Sequence, residues 1–219
     1  MNIFNISVHC IESALVRAGY PLMTKISDME SMSSMDFKSL LRRGNRLGTT
    51  PIAHGDDKFL RMIIVNVDIT APRYWWQEFD TYHFTTKMSQ STMHRLTKMD
   101  IREMVNPYVD ERIIQIMESL IAKYKENPTK ENFMKMKSNL PEGFELTAAI
   151  TTNYSQLKTM YYQRKNHRLP EWKEFCLWIK SLPFTRELGV VDDKPNTTME
   201  EILKDAVQEF EQRKKSGKE

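Results

Sequence analysis

Apolar and polar residues alternate along several stretches of the chain, and alternation of this kind predicts β-strands. The clearest run covers residues 59–69, a second covers residues 4–10, and a third is predicted over residues 144–151, just after a Leu-Pro-Glu-Gly turn. Because long helical segments separate these runs, the pattern favours a mixed α/β domain.

Apolar residues that recur every three or four positions predict the helices. The longest lies within residues 101–124 and continues for most of its length after a proline. Residues 28–35 are rich in serine and methionine and are predicted as a loop or a fraying segment. Residues 44–57 hold three glycines and a proline and are predicted as a loop. The other helices are predicted over residues 11–18, 36–43, 129 to just before 139, 153–163, 170–181 and 197 to about 213.

The most aromatic segment of the chain, residues 71–82, reads Ala-Pro-Arg-Tyr-Trp-Trp-Gln-Glu-Phe-Asp-Thr-Tyr and follows the clearest predicted strand. Thr70 is predicted to cap the helix that opens there, and Pro72 suits the first turn of that helix. Large aromatic side chains beside polar groups form either a wall of the core or a platform for a ligand, and the sequence leaves both open.

The length and the charge of the chain limit the class of protein to which it can belong. A chain of 219 residues can bury a substantial core, and one domain is predicted over residues 1–213 with a charged, disordered tail at 214–219. With 32 basic and 29 acidic residues, no nucleic-acid partner is expected. No apolar stretch is long enough to span a membrane, and two distant cysteines indicate a reduced, cytoplasmic protein.

Phosphate-binding glycine loops, dinucleotide fingerprints and nucleophile elbows are absent from the sequence. The histidines do not pair at metal-ligand spacing, so no metal site is expected. Residues 164–168 are basic and suit either an anion site or the stabilised C-terminus of a helix. Lys135 and Lys137 suit an anion site or a solvent-exposed helix face, and residues 91–95 suit a phosphate contact or a plain polar loop.

In their order along the chain, these segments resemble motifs of the flavin-dependent thymidylate synthases, the ThyX family, over about residues 6–183. Residues 47–54 stand where the family has Gly-His-X-Ser-X-X-Glu-His, and His54 matches the final histidine. Residues 75–82 stand where the family has Trp-Arg-Gln-X-X-Arg-His-Arg. Gln77 matches the glutamine, and Asp-Thr-Tyr replaces the Arg-His-Arg trio.

Residues 85–94 stand in place of the family's Ser-X-Asn-Glu-X-Ser-X-Arg-Tyr. With one residue inserted, Ser91 takes the place of the second serine, and His94 replaces the tyrosine. A methionine replaces the arginine, for which Arg95 is a substitute if the loop shifts.

The C-terminal half resembles the family more closely. Lys137 stands for an arginine before a Leu-Pro pair, and Asn153 and Arg164 match the beginning and end of the following helix. The resemblance thus implies two sets of site residues. Those that bind the substrate are Gln77, Ser91, Lys137 and Arg164, and those that bind the cofactor are His54, Asn153, His94 and Arg95.

The resemblance also implies a ThyX-like fold with a partly antiparallel sheet flanked by long helices, and a homotetramer. The implied reaction is methylation of dUMP or a related one-carbon modification of a pyrimidine, with FAD, NADPH and methylenetetrahydrofolate. Because Asp80 would repel a flavin pyrophosphate, FAD binding is in doubt. Two alternatives stay open, which are a pyrimidine-nucleotide-binding protein without catalysis and a structural or interaction protein.

Overall fold

A computed structural model describes residues 1–52, 54–192, 207–208 and 211–212. Four strands form one sheet in the order β1-β2-β4-β3. Their bounds are β1 Asn2–His9, β2 Ile64–Pro72, β3 Thr86–Ser89 and β4 Glu145–Asn153.

Nine α-helices lie in the part of the chain ending at residue 192, together with short 3-10 helices at Tyr20–Leu22, Asp56–Met62 and Leu96–Lys98. The α-helices are α1 Ile11–Arg17, α2 Asp28–Ser33, α3 Phe37–Gly48, α4 Arg73–Phe79, α5 Thr92–Arg95, α6 Glu111–Glu126, α7 Lys130–Ser138, α8 Tyr154–Arg164 and α9 Pro170–Ser181.

Side-chain pairs show that β2 and β4 run antiparallel. The hydroxyls of Thr70 and Thr147 lie 2.8 Å apart, and Thr151, four residues later in β4, donates to Asn66, four residues earlier in β2, at 2.7 Å. Every second residue of β2 is buried, as expected for a strand with one face on the core. The predicted mixed α/β fold with a partly antiparallel sheet is confirmed.

The chain divides into two compact units, one made of Met1–Asn5 and Val67–Ile150 and the other of Ile6–Asn66 and Thr151–Glu219. In the first unit, α6 and α7 pack around a buried apolar cluster that includes Met117. In the second, α1 packs on α3 and α8 on α9. The single domain predicted over residues 1–213 stays a prediction.

Two helical boundaries differ from the prediction because specific contacts order segments whose composition predicts loops. Residues 28–33 are helical, since the Asp28 carboxylate accepts hydrogen bonds from the backbone N–H groups of Thr24 and Lys25 and orders the first turn. Helix α3 continues past residue 43 to Gly48. A Cβ on Gly48 would lie 2.1 Å from the Leu188 carbonyl oxygen, so glycine here permits close packing.

Three further expectations around the sheet are wrong. Strand β2 starts at Ile64 rather than at residue 59, because Phe59 and Leu60 are buried in a 3-10 helix over Asp56–Met62. Thr70 lies within β2 and pairs across the sheet, so that Pro72, not Thr70, occupies the N-cap of α4. Strand β3 lies in a segment for which no strand was predicted.

Towards the C-terminus the predictions agree better with the structure. Thr129 caps α7 by accepting a hydrogen bond from the Asn132 N–H, and α9 has the predicted bounds. Helix α6 starts at Glu111, so residues 101–104 are turns rather than helix. The helix predicted from 197 to about 213 lies outside the described residues except at 207–208 and 211–212, which are helical, and the tail at 214–219 also lies outside them.

Lys158 of α8 fixes the loop that follows α3. Only 3% of the residue is exposed, and its ammonium donates to the carbonyls of Gly48 and Thr50, each at 2.8 Å, and to the Asp57 carboxylate at 3.0 Å. All three ammonium protons therefore have acceptors, which a buried charge requires.

Replacing Lys158 by methionine should leave Asp57 as an uncompensated buried charge and lower the free energy of unfolding by about 3–5 kcal/mol. Urea denaturation measures this loss. The control is Lys135→Met, which removes an exposed pair with Glu131 in α7 and should cost less than about 1 kcal/mol. Equal losses in the two variants would show that the Lys158 contacts do not hold the loop.

Candidate functional site

The tryptophans of α4 form a wall of the core. Trp75 is fully buried, Trp76 is 5% exposed, and Phe79 stacks on Trp75 with ring centroids 5.0 Å apart. The Trp76 indole N–H donates to the Leu146 carbonyl of β4 at 3.0 Å. Of the two alternatives that the sequence left open for this segment, its aromatic face is therefore core, and its polar residues remain for a ligand.

Those polar residues lie along one side of α4, because Arg73, Gln77 and Asp80 are spaced by four and three positions. Together with Lys87 and Ser89, which project from the same face of β3, they line a pocket of about 190 Å³. We call this pocket the α4 groove; its remaining lining residues are Trp76 and Leu146.

One end of the α4 groove is closed by an ion pair. The Lys87 ammonium contacts both oxygens of the Asp80 carboxylate and lies 5.1 Å from the centre of the Trp76 ring. The lysine side chain is 26% exposed and the aspartate side chain 52%. Asp80 therefore neutralises the cation that β3 contributes to the groove.

The other end carries Arg73 at the start of α4. Its guanidinium donates to the Leu140 carbonyl at 2.6 Å and lies 3.4 Å from the Glu142 carboxylate. The Gln77 amide donates to the same carboxylate at 2.9 Å. These contacts hold both side chains in place along the groove while other N–H donors of the guanidinium are left for a ligand.

Lys137 of α7 lies beside Arg73. Burial, and next the positive charge of Arg73, lower the pKa of the Lys137 ammonium from its ordinary value. The ammonium donates to the Thr92 hydroxyl and has no carboxylate partner within the residues that the structure describes. Two neighbouring cations with a hydroxyl beside them form an arrangement that an anion would stabilise.

Other predicted site residues of the first unit cluster around α5. Ser91 precedes that helix and is next to Thr92, the hydrogen-bond partner of Lys137. His94 and Arg95 lie in its last turn and are exposed. The structure thus gathers Gln77 and Lys137 around Arg73, with Ser91 one residue from the contact.

The predicted residues of the second unit have local partners of their own. Asn153 caps α8 by accepting a hydrogen bond from the Gln156 N–H at 2.9 Å. Arg164 ends α8 with its guanidinium 4.7 Å from the centre of the Trp172 ring, and His54 is exposed in the loop after α3. The ligand-binding roles of these residues stay predictions.

Arg73 and Lys87 were not expected from the sequence. Arg73 lies one helical turn before Gln77, and Lys87 is the first lysine or arginine after Asp80, so spacing along α4 offered a signal for the first residue. Lys87 can be recognised as a groove residue only when the position of β3 is known, and no strand was predicted there.

The described residues contain neither a metal-binding cluster nor a membrane-spanning helix. No three histidine, cysteine, aspartate or glutamate side chains among them gather closely enough to hold a metal ion. None of the helices in the described part of the chain is both long and apolar enough to cross a bilayer.

Solved structures with the same architecture include two crystal structures of the flavin-dependent thymidylate synthase ThyX from Helicobacter pylori with FAD and dUMP. Both have a TM-score of 0.66 and 16% identity, and they cover 87% of this chain and 97–98% of the enzyme. The UMP/dUMP methylase PolB from Streptomyces cacaoi, bound with 5-Br dUMP, has a TM-score of 0.60 and 14% identity and covers 88% of this chain and 98% of that chain.

The chain has the fold of the flavin-dependent thymidylate synthases. The similarity extends over nearly the whole of each of these chains, and the predicted ThyX-like fold is confirmed. No protein-family model matches the sequence, and no curated protein is significantly similar to it. Identities of 14–16% establish the architecture, so function has to be argued from the groove itself.

The residues after α4 do not fit the diphosphate of a flavin. The resemblance implies a cationic clamp at Asp80, Thr81 and Tyr82. Asp80 is instead paired with Lys87, the Thr81 hydroxyl donates to the Glu78 carbonyl at 2.7 Å, and Tyr82 is 8% exposed. For a diphosphate, these residues provide only Lys87, which Asp80 already neutralises, and the Asp80 carboxylate itself, which repels a phosphate.

We expect the purified protein to lack the visible absorbance of bound flavin, because the ThyX-type clamp is replaced by an ion pair. Gel filtration after incubation with FAD, followed by a spectrum of the protein peak, measures retention. Lysozyme passed through the same column gives the background. A yellow protein peak that keeps one FAD per chain would contradict the conclusion that Asp80, Thr81 and Tyr82 do not fit a flavin.

Proposed function

We propose that this protein binds a pyrimidine nucleoside monophosphate along α4, with the base in the α4 groove and the phosphate at its Arg73 end, where Lys137 lies outside the groove lining. The observation that carries the proposal is the half-buried Lys137 ammonium, which donates to the Thr92 hydroxyl. Lys137 lies three residues before Leu140, whose carbonyl accepts a hydrogen bond from Arg73. Burial, and next the charge of Arg73, lower the pKa of Lys137. Two like charges held close together repel one another, and a phosphate between them would replace that repulsion with attraction.

The shape of the groove favours a mononucleotide. Its volume of about 190 Å³ encloses the base or the phosphate of such a ligand and is well below the roughly 300–1,000 Å³ of sites for drug-sized ligands. The helix rises by about 10 Å between Arg73 and Asp80, which gives an extended ligand room along α4. The Gln77 amide, both donor and acceptor, suits the polar edge of a pyrimidine.

The fold supports the same ligand class. The H. pylori ThyX structures contain dUMP, and PolB contains 5-Br dUMP. We propose that Gln77 and Lys137 contact the nucleotide here as the resemblance implied, that Ser91 does so beside Thr92, and that Arg73 takes the role of an unpredicted phosphate contact. The role of Arg164 and the homotetramer stay predictions.

A one-carbon modification of the bound pyrimidine is the second candidate, and the fold shared with the UMP/dUMP methylase PolB favours it. FAD, NADPH and methylenetetrahydrofolate would then have to be held by residues other than Asp80, Thr81 and Tyr82. Nucleotide binding needs no such addition, so it is the function that the geometry supports best.

Binding should raise the melting temperature, since dUMP or UMP at about 100 times its Kd adds about 2.7 kcal/mol of stability. Arg73→Ala and Lys137→Ala should each weaken binding about tenfold or more, because a charged hydrogen bond is worth about 1.5–3 kcal/mol. Calorimetric titration gives the Kd values, and Lys135→Ala on the exposed side of α7 is the matched control. No binding by the wild type, or unchanged Kd in both site variants, would refute the proposal.

The affinity should also fall as the pH rises. Lys137 holds a phosphate only while protonated, and because its pKa is lowered, that loss should begin at a lower pH than for an ordinary lysine. Lys137→Arg should keep its affinity to higher pH, since a guanidinium stays charged. Titrations of both proteins across the alkaline range measure the difference, and identical declines would rule out Lys137 as the titrating group.

A further inference from the structure

At the Asp80 end of the α4 groove, one positive and one negative side chain neutralise each other. Lys87 reaches into the groove from β3, but both oxygens of the Asp80 carboxylate contact its ammonium. Asp80 is also more exposed than its partner, at 52% against 26% for the side chains. An anion approaching this end therefore meets an accessible carboxylate before it can reach an available cation.

We infer that Asp80 limits the groove to ligands with a single phosphate. This inference rests on the proposed function, because it assumes that one phosphate occupies the Arg73 and Lys137 end. A second phosphate directed along α4 towards Asp80 would have to displace the carboxylate from Lys87 or lie close to an unneutralised negative charge. Both outcomes disfavour nucleoside bisphosphates relative to monophosphates, which is specificity by repulsion.

The position of the pair makes this repulsion effective. Asp80 lies about 10 Å along the helix from Arg73, so a second phosphate directed from Arg73 towards Asp80 comes within one Debye length of its carboxylate, about 8 Å at physiological ionic strength. The ring of Trp76 supports the Lys87 ammonium on its other side, at 5.1 Å from the ring centre, and so helps to hold the pair in place.

The test compares two probes, uridine 5′-monophosphate and uridine 3′,5′-bisphosphate, by calorimetric titration at fixed ionic strength. The wild type should bind the bisphosphate no more tightly than the monophosphate, despite its greater charge. In Asp80→Asn, which keeps the size of the side chain, the bisphosphate affinity should rise about tenfold more than the monophosphate affinity, as expected from removing about 1.4 kcal/mol of repulsion.

Two further variants identify the cause. In the double variant Asp80→Asn with Lys87→Gln the gain should be smaller than in Asp80→Asn alone, because the repulsion is removed but the freed ammonium is missing. Glu103→Gln, an exposed residue away from the groove in the same unit, removes the same charge and should leave the ratio of the two affinities unchanged.

Equal gains for both probes in Asp80→Asn would overturn the inference, as would a wild type that already prefers the bisphosphate. Either result leaves nucleotide binding itself supported. A failure of wild type and Asp80→Asn to bind either probe would instead overturn the proposed function, and the inference with it.

Discussion

The attachment of α4 to the start of β4 determines the geometry of the groove. The first N–H groups of a helix lack acceptors within it. In α4 the first two donate to the carbonyls of Phe144 and Glu142, at 3.0 and 3.3 Å, and Trp76 adds a hydrogen bond to Leu146. These bonds fix the rotation of α4 about its axis, so the aromatic side chains enter the core and the polar ones line the groove.

The two ends of this fixed helix have different electrostatic environments. At its first turn, Arg73 and Lys137 concentrate positive charge that the single, exposed Glu142 carboxylate only partly balances. At its last turn, Asp80 cancels the charge of Lys87. The fold is that of enzymes crystallised with FAD and dUMP, and we propose that the charges along α4 suit one phosphate rather than the diphosphate of a flavin.

Sequence patterns predicted the elements whose residues follow a regular period, such as the buried side of β2 and the helix α9. They failed where a contact between distant segments decided the structure. The glycine-containing segment after residue 43 was predicted as a loop, but α3 continues to Gly48, where the close approach of Leu188 leaves no room for a side chain. Thr70 pairs across the sheet instead of capping α4.

The same limit applies to the site. Gln77 and Lys137 were predicted as site residues because the order of motifs pointed to them. The pairing of Asp80 with Lys87 was not, because it requires β3 to lie beside α4, and four residues with mixed exposure give no strand signal. The sequence therefore indicated that Asp80 stands where the resemblance implies a cation, but not that a lysine from β3 neutralises this aspartate.

A crystal structure of the protein with 5-bromo-dUMP would test the central claim most directly, because anomalous scattering from bromine locates the base. If the claim is right, the bromine peak lies within the α4 groove and the phosphate contacts Arg73 and Lys137. A bromine peak elsewhere, with the guanidinium of Arg73 still bound to Leu140 and Glu142 and no phosphate beside it, would contradict it.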